Sequence, residues 1–309
     1  MDFMTDLEGE PMELNDYQRR ANLTDQRPGQ VAEEGDDVLA FPLMGIASEV
    51  GSLVTQYKKR VRDGESHSLF TDRISEKLGD ILWYVANFAH KAGLELDDVA
   101  DLNLKRIEER WPAEGSLQPA KLLDDAFPVE EQLPRQVSVL FEEVQVDGEM
   151  KLRISAEGSQ LGNYLTDMNY DDDGYRFHDA FHLTYAALLG WSPISREFFG
   201  TKRRSNPQLK EIEDGGRAGV IEEAISAHVF AYAAEEKFLE GVPHLDSELL
   251  RNITGMVSHL EVRTRTVAEW ERAIFRSFEV WRALRDHRGG SLHLDLRART
   301  IKYELPSAE

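Results

Sequence analysis

Cysteine is absent from the 309 residues, which removes disulfides, thiolate metal sites and a cysteine nucleophile at once. No apolar run approaches the ~18 residues that a spanning helix needs, so no membrane segment is expected. Basic residues are scarce: 36 Lys and Arg stand against 57 Asp and Glu, a formal net charge of −21. Extended binding to DNA or RNA, which depends on basic surface to neutralise phosphates, is therefore not expected. A single nucleotide remains compatible, because a bound cation and a few local Lys or Arg can reverse the field inside one cleft. The opening Met-Asp-Phe-Met-Thr-Asp lacks the basic and apolar regions of a signal peptide. With the missing cysteines, that gives a cytoplasmic expectation.

What is present is a globular composition, with 41% hydrophobic and 30% charged residues, in a chain long enough for two cores. Residues 1–13 read as a flexible acidic tail and 14–111 as four helices. The first starts near Asn15. The second runs from about Phe41 to Arg62, with Ile46, Val50, Leu53, Val54 and Tyr57 at helical spacing. The third lies between a capping Asp72 and Ala92-Gly93, and the fourth spans 96–110. Proline and glycine between Pro112 and Pro134 predict a linker over 112–134.

From 135 to 309 the period changes. Two alternating runs flank Asp147-Gly148, a strong hairpin signal. Helices are expected over 175–189, 216–238, 246–260 and 264–287, and Gly289-Gly290 turns into one or two closing strands. The fold class is thus mainly α: a four-helix unit followed by helices with a small antiparallel sheet.

Two stretches place carboxylates on otherwise apolar helices. Gly45-Ile-Ala-Ser-Glu-Val-Gly-Ser52 carries Glu49, and Glu76-Lys-Leu-Gly-Asp-Ile-Leu-Trp-Tyr84 carries Asp80. Packed together, such helices bring these carboxylates over an apolar core, an expensive arrangement without a cation inside it. The second half has a comparable set. His178 and His182 are four apart and share a helix face, Asp179 is adjacent, and Glu222, Glu223 and His228 lie on the next helix. Imidazoles at this spacing beside carboxylates suit a transition metal; hydrogen bonding of partly buried histidines to Glu222 or Glu223 is the alternative. Arg176 three before Asp179 matches Lys77 three before Asp80, and Glu223-x-x-Ser226 matches Glu49-x-x-Ser52. These are either a permuted second copy of the helix pair or a coincidence of amphipathic helices. His178-Asp179 is also similar to the dipeptide of the HD phosphohydrolases, without their separate upstream His and downstream Asp.

Residues 14–111 resemble the MazG-like all-α nucleoside triphosphate pyrophosphohydrolases. The resemblance lies in Tyr17-Gln18, the Glu-Val-Gly turn, Leu-Gly-Asp-Ile-Leu-Trp-Tyr, and Asn103 with Lys105-Arg106. It implies a Mg²⁺ (or Mn²⁺) ion held by Glu-x-x-Glu and Glu-x-x-Asp pairs on two helices, with a (d)NTP cleaved to (d)NMP and pyrophosphate. Here the pattern is kept at Glu49 and Asp80, whereas the other two positions are Ser52 and Lys77, with Glu76 alongside. Catalytic candidates are therefore Glu49, Glu76, Asp80, Asp179 and Glu223. Metal candidates are Glu49, Asp80, His178, Asp179, His182, Glu222 and Glu223, and phosphate candidates are Lys58, Lys77, Arg106, Lys202 and Arg203. Three functions follow: an Mg²⁺-dependent pyrophosphohydrolase, a non-catalytic nucleotide sensor on a degenerate scaffold, or a metal-dependent hydrolase with its site in the second half. A homo-oligomer is expected, since four-helix units with an apolar face commonly pair.

Overall fold

The computed structural model describes residues 12–26, 38–112 and 121–305. Most of the expected tail, and residues 27–37 of the polar connection, lie outside the described residues. The chain divides into two units, Met1–Ile107 and Glu108–Glu309. It is mainly helical with one small antiparallel sheet, and among the described residues no helix is long and apolar enough to cross a membrane.

In the first unit α1 (Leu14–Asn22) packs on α3 (Phe70–Lys91), which pairs with α2 (Ala40–Asp63); α4 (Leu96–Arg110) follows after a short turn. Gln18 closes that turn from α1. Its Oε1 accepts from Leu96 N–H at 2.9 Å, and its Nε2 donates to Leu94 O at 2.8 Å. Asn15 Oδ1 accepts from Asp97 N–H at 3.0 Å, satisfying one of the unpaired amides that start α4. Gly45 has a steric role: a Cβ there would lie 2.3 Å from the Tyr84 ring, so only glycine lets α2 approach α3 this closely. The buried core is small, with Ala21, Ala86, Ala89 and Leu96 at its centre.

The second unit holds the larger core. Strands β1 (Gln136–Val146) and β2 (Glu149–Ala156) pair with Val146 opposite Glu149, so Asp147-Gly148 forms a two-residue turn. Both turn residues have positive φ, 53° and 85°, as the mirror-image turn requires. With β3 (Ser159–Gln160), β4 (Gly289–Asp295) and β5 (Thr300–Glu304) the order is β3-β2-β1-β4-β5, antiparallel throughout. Gly289 and Gly290, expected to form a turn, instead begin β4, at φ 140° and 138°. A Cβ on Gly290 would lie 2.4 Å from the Tyr303 ring and one on Gly289 2.5 Å from Phe141 O, so crowding rather than turning selects glycine here.

Helix α5 (Asp179–Leu189) is buried at every residue and packs with β4 and β5. Its sequence is mostly apolar, as an interior helix requires, with Asp179, His182, Thr184 and Tyr185 as the polar exceptions. Short helices α6 (Pro193–Phe198) and α7 (Pro207–Ile212) follow, then α8 (Gly216–Glu235), α9 (Ser247–Met256) and α10 (Val267–His287). α10 begins with a Thr266–Glu269 capping box and lies against α5, placing Trp270, Phe278 and Trp281 in the core. Residues 121–134, expected to be linker, are packed into the unit instead. Leu122 and Leu133 are buried, and buried Asp124 accepts from Leu133 N–H, Arg135 and Arg196 at 2.8–2.9 Å. Proline there fixes a folded loop rather than a spacer.

Candidate metal centre

In the first unit the helix pair does bring Glu49 and Asp80 together, around Lys77. The ammonium lies 3.1 Å from Glu49, 2.9 Å from Asp80 and 3.8 Å from Glu76. The hydrogen bonds that the ammonium donates to Asp80 and then Glu49 raise the Lys77 pKa, so it stays charged. The amine thus stands where a cation between these carboxylates would stand. Ser52 turns its hydroxyl back to Ser48 O at 3.1 Å and offers nothing to the cluster. Glu76 is tied to Arg73 at 2.9 Å. Lys58 and Arg106 are exposed on the helix surface.

The corresponding basic residue of the second unit goes elsewhere. Arg176 is bound by Asp167 at 2.8 Å, Asp172 at 3.1 Å and Glu143 at 3.4 Å. That leaves the carboxylates beside it to the two histidines. The one-turn 3-10 helix Tyr175–Phe177 leads into α5. There His178 Nδ1 donates to Tyr175 O at 2.9 Å while its ring stacks on Tyr175, 4.4 Å between centroids and 7° from parallel. A carbonyl can only accept, so Nδ1 carries the proton and Nε2 is left as the ligand atom.

His182, with no exposed surface, is fixed in the same way. Its Nδ1 is 2.9 Å from Glu222 Oε1, and its Nε2 is buried with no hydrogen-bond partner among the described residues. Both Nε2 atoms face the same carboxylates. His178 Nε2 is 3.4 Å from Asp179 Oδ1 and 3.8 Å from Glu223 Oε2; His182 Nε2 is 3.9 Å and 3.4 Å from the same two oxygens. Ligands bound about 2.1 Å from one ion lie about 3–4 Å apart, so these four atoms are spaced for a shared cation. His178, Asp179 and His182 each offer a ligand atom within 4.8 Å of the other two.

Glu222, a metal candidate from sequence, has both carboxylate oxygens engaged by other donors. Its Oε1 accepts from His182 Nδ1–H and, at 2.6 Å, from Ser192 Oγ–H, while Oε2 accepts from Ile194 N–H at 2.9 Å. It orients the imidazole from behind, the usual task of a carboxylate one step from a metal. Burial alone would push the His182 pKa down; the Glu222 charge and hydrogen bond, then Glu223 and Asp179, outweigh it and raise it to about 10. Burial pushes the Asp179 carboxyl up. The Glu223 carboxyl is also raised by burial but held below its usual range by His182, and its side chain is 45% exposed, which makes it the solvent side of the cluster.

Two phosphate candidates are otherwise engaged. Arg203 is fully buried, 2.7 Å from both Asp214 and Glu261, because a guanidinium without solvent needs carboxylates around it. Lys202 pairs with Glu197 at 3.0 Å. Ser226, the counterpart of Ser52, likewise turns back, to Glu222 O at 3.1 Å. The role of Ser192 was not anticipated, although Ser-Pro is a helix-start signal: Ser192 caps α6 and so aims the Ile194 amide at Glu222.

The family described as the MazG C-terminal domain matches residues 118–307, more than half of the chain and all of this cluster. The chain belongs to the MazG C-terminal domain family. The match falls on the second unit, whereas the resemblance seen in sequence lies on residues 14–111, so a MazG relationship is supported from the opposite end. A curated relative, the Gene 37 protein of Mycobacterium phage L5, is 31% identical over 101 residues, covering 32% of this chain and 89% of that protein. No solved structure matches the chain.

Proposed function

We propose that the protein is a divalent-metal-dependent hydrolase of nucleoside triphosphates, yielding a monophosphate and pyrophosphate, with its metal in the second unit. His178, Asp179, His182 and Glu223 would hold the ion. The observation that carries this reading is His182: a buried Nε2 with no hydrogen-bond partner among the described residues, 3.4 Å from Glu223 and 3.9 Å from Asp179, on a ring fixed from behind by Glu222. Two imidazoles with two carboxylates suit Mn²⁺ or another first-row cation better than Mg²⁺, which prefers six oxygens. Such an ion supplies an acidified water and Lewis acidity toward a phosphoryl oxygen. The chain's own contribution is orientation: Tyr175 stacks and anchors His178, and Glu222 anchors His182. The nucleotide and pyrophosphate part of the reading rests on MazG membership and on the resemblance of residues 14–111. Purified protein with Mn²⁺ or Mg²⁺ and a panel of NTPs and dNTPs should release pyrophosphate, and Asp179→Ala should abolish it. Turnover that survives Asp179→Ala would sink the assignment.

The Lys77 geometry favours a second role for the first unit, nucleotide binding without turnover at Glu49 and Asp80. That unit also supports pairing with a second copy. On α2, Leu43, Val50, Val54, Tyr57 and Val61 recur at helical spacing and are 42–69% exposed, a stripe that water disfavours. Light scattering on the full chain should give a dimer or higher assembly, and Val54→Asp with Val61→Asp should shift it toward monomer. An unchanged mass in that variant would count against pairing through this stripe.

A further inference from the structure

We propose a second ligand site in the second unit, a cleft that binds a nucleotide through its phosphates, separate from the metal cluster and independent of that reading. The cleft, about 460 Å³, lies between α10, the start of β5 and the end of α5. It is about ten residues along α5 from His178, roughly 15 Å at 1.5 Å per residue.

Four cationic side chains line it, Arg272, Arg276, Arg299 and Lys302, against one acidic residue, Glu279. In a chain of net charge −21 such a local excess of positive charge runs against composition. Arg272, Phe275, Arg276 and Glu279 are spaced i, i+3, i+4, i+7 and so share one face of α10. Two of the cations have structural duties. Arg276 donates to Ile301 O and to Glu279, both at 2.5 Å, and Arg299 donates to Leu188 O at 2.7 Å, capping the carbonyl end of α5. Arg272 and Lys302 have no such duty: both are exposed, and neither side chain makes a hydrogen bond or ion pair among the described residues. Burial holds the Arg299 guanidinium below its usual range; Glu269 opposes this and the nearby Arg272 charge adds to it. An anion between Arg272 and Lys302 would relieve that repulsion and gain charge-assisted hydrogen bonds.

The floor selects among anions. Leu188, Phe275 and Ile301 are apolar, and Phe275 is half-buried, a face on which a flat base can stack. A polynucleotide would meet the repulsion of the whole acidic chain, whereas a mononucleotide meets only the cleft.

Calorimetric titration of the full chain in chelator with ADP, pyrophosphate and adenosine tests this. ADP should bind at least about tenfold more tightly than either fragment. Arg272→Glu and Lys302→Glu should each weaken it about tenfold, the worth of one charged hydrogen bond. Asp179→Ala should leave it unchanged, and circular dichroism should show the variants folded. The proposal is overturned if ADP does not bind, binds no better than pyrophosphate, binds equally well to the doubly reversed variant, loses binding with Asp179→Ala, or is displaced more strongly by an oligonucleotide than by ATP.

Discussion

His182→Leu is expected to abolish the metal binding proposed for the second unit and to destabilise that unit by on the order of 3–5 kcal/mol. The first effect follows from the loss of Nε2, a buried ligand atom with no hydrogen-bond partner among the described residues, from which a bound ion would displace a proton. The second follows from Glu222, which has no exposed surface and would be left as a buried carboxylate without its cationic neighbour. Ser192 Oγ–H and Ile194 N–H still donate to it, but they carry no charge. The two effects separate in a double variant. His182→Leu with Glu222→Gln removes the buried charge and retains one acceptor oxygen, so much of the stability should return while the metal does not. Chemical denaturation and elemental analysis of the purified variants measure the two halves. Metal retained in His182→Leu, or a loss below about 1 kcal/mol, the range of an ordinary surface substitution, would contradict the arrangement.

The second large effect is expected in the first unit, where replacing the tethered amine should create a metal site. Lys77→Glu combined with Ser52→Glu, in an Asp179→Ala background, gathers carboxylates around Glu49 and Asp80 with no internal cation. Without divalent ions these repel one another and the unit should melt earlier than the parent. With Mg²⁺ at about 100 times its dissociation constant the variant should regain on the order of 2–3 kcal/mol. The Asp179→Ala parent, with Lys77 already between the carboxylates at 2.9 and 3.1 Å, should show no such Mg²⁺ response. A parent and a variant equally responsive to Mg²⁺ would mean that Lys77 does not hold the cation's place.

The long helices and the hairpin were legible because their signals are local. Apolar spacing marks α2 and α3, and Asp147-Gly148 meets the φ demands of its turn wherever it occurs. The grouping of His178 and Asp179 with His182 was also legible, since residues three or four apart share a helix face, whereas the approach of Glu49 to Asp80 and of Glu223 to the histidines depends on how two helices pack. What could not be read was the fate of each charge. Arg203 and Lys202 look alike in sequence, yet one is sealed among Asp214 and Glu261 and the other is at the surface beside Glu197. Glu222 and Glu223 are neighbours, and only the turn of α8 decides which backs the imidazole and which faces the cluster. The folded stretch 121–134 was hidden for a related reason, because its prolines resemble those of a spacer until Leu122 and Leu133 have a core to enter.

Because α5 is buried along its full length, the residues that would grip the ion belong to the same cooperative block as the tryptophans and strands around them. His182 cannot swing aside without opening that block, so its backbone amides should exchange with solvent on the slow timescale of whole-unit opening. Evolution of this centre is then constrained from within. A substitution in the sheet that loosens the interior shifts ligand angles as well as melting temperature, and the centre can be retuned by residues that never touch it.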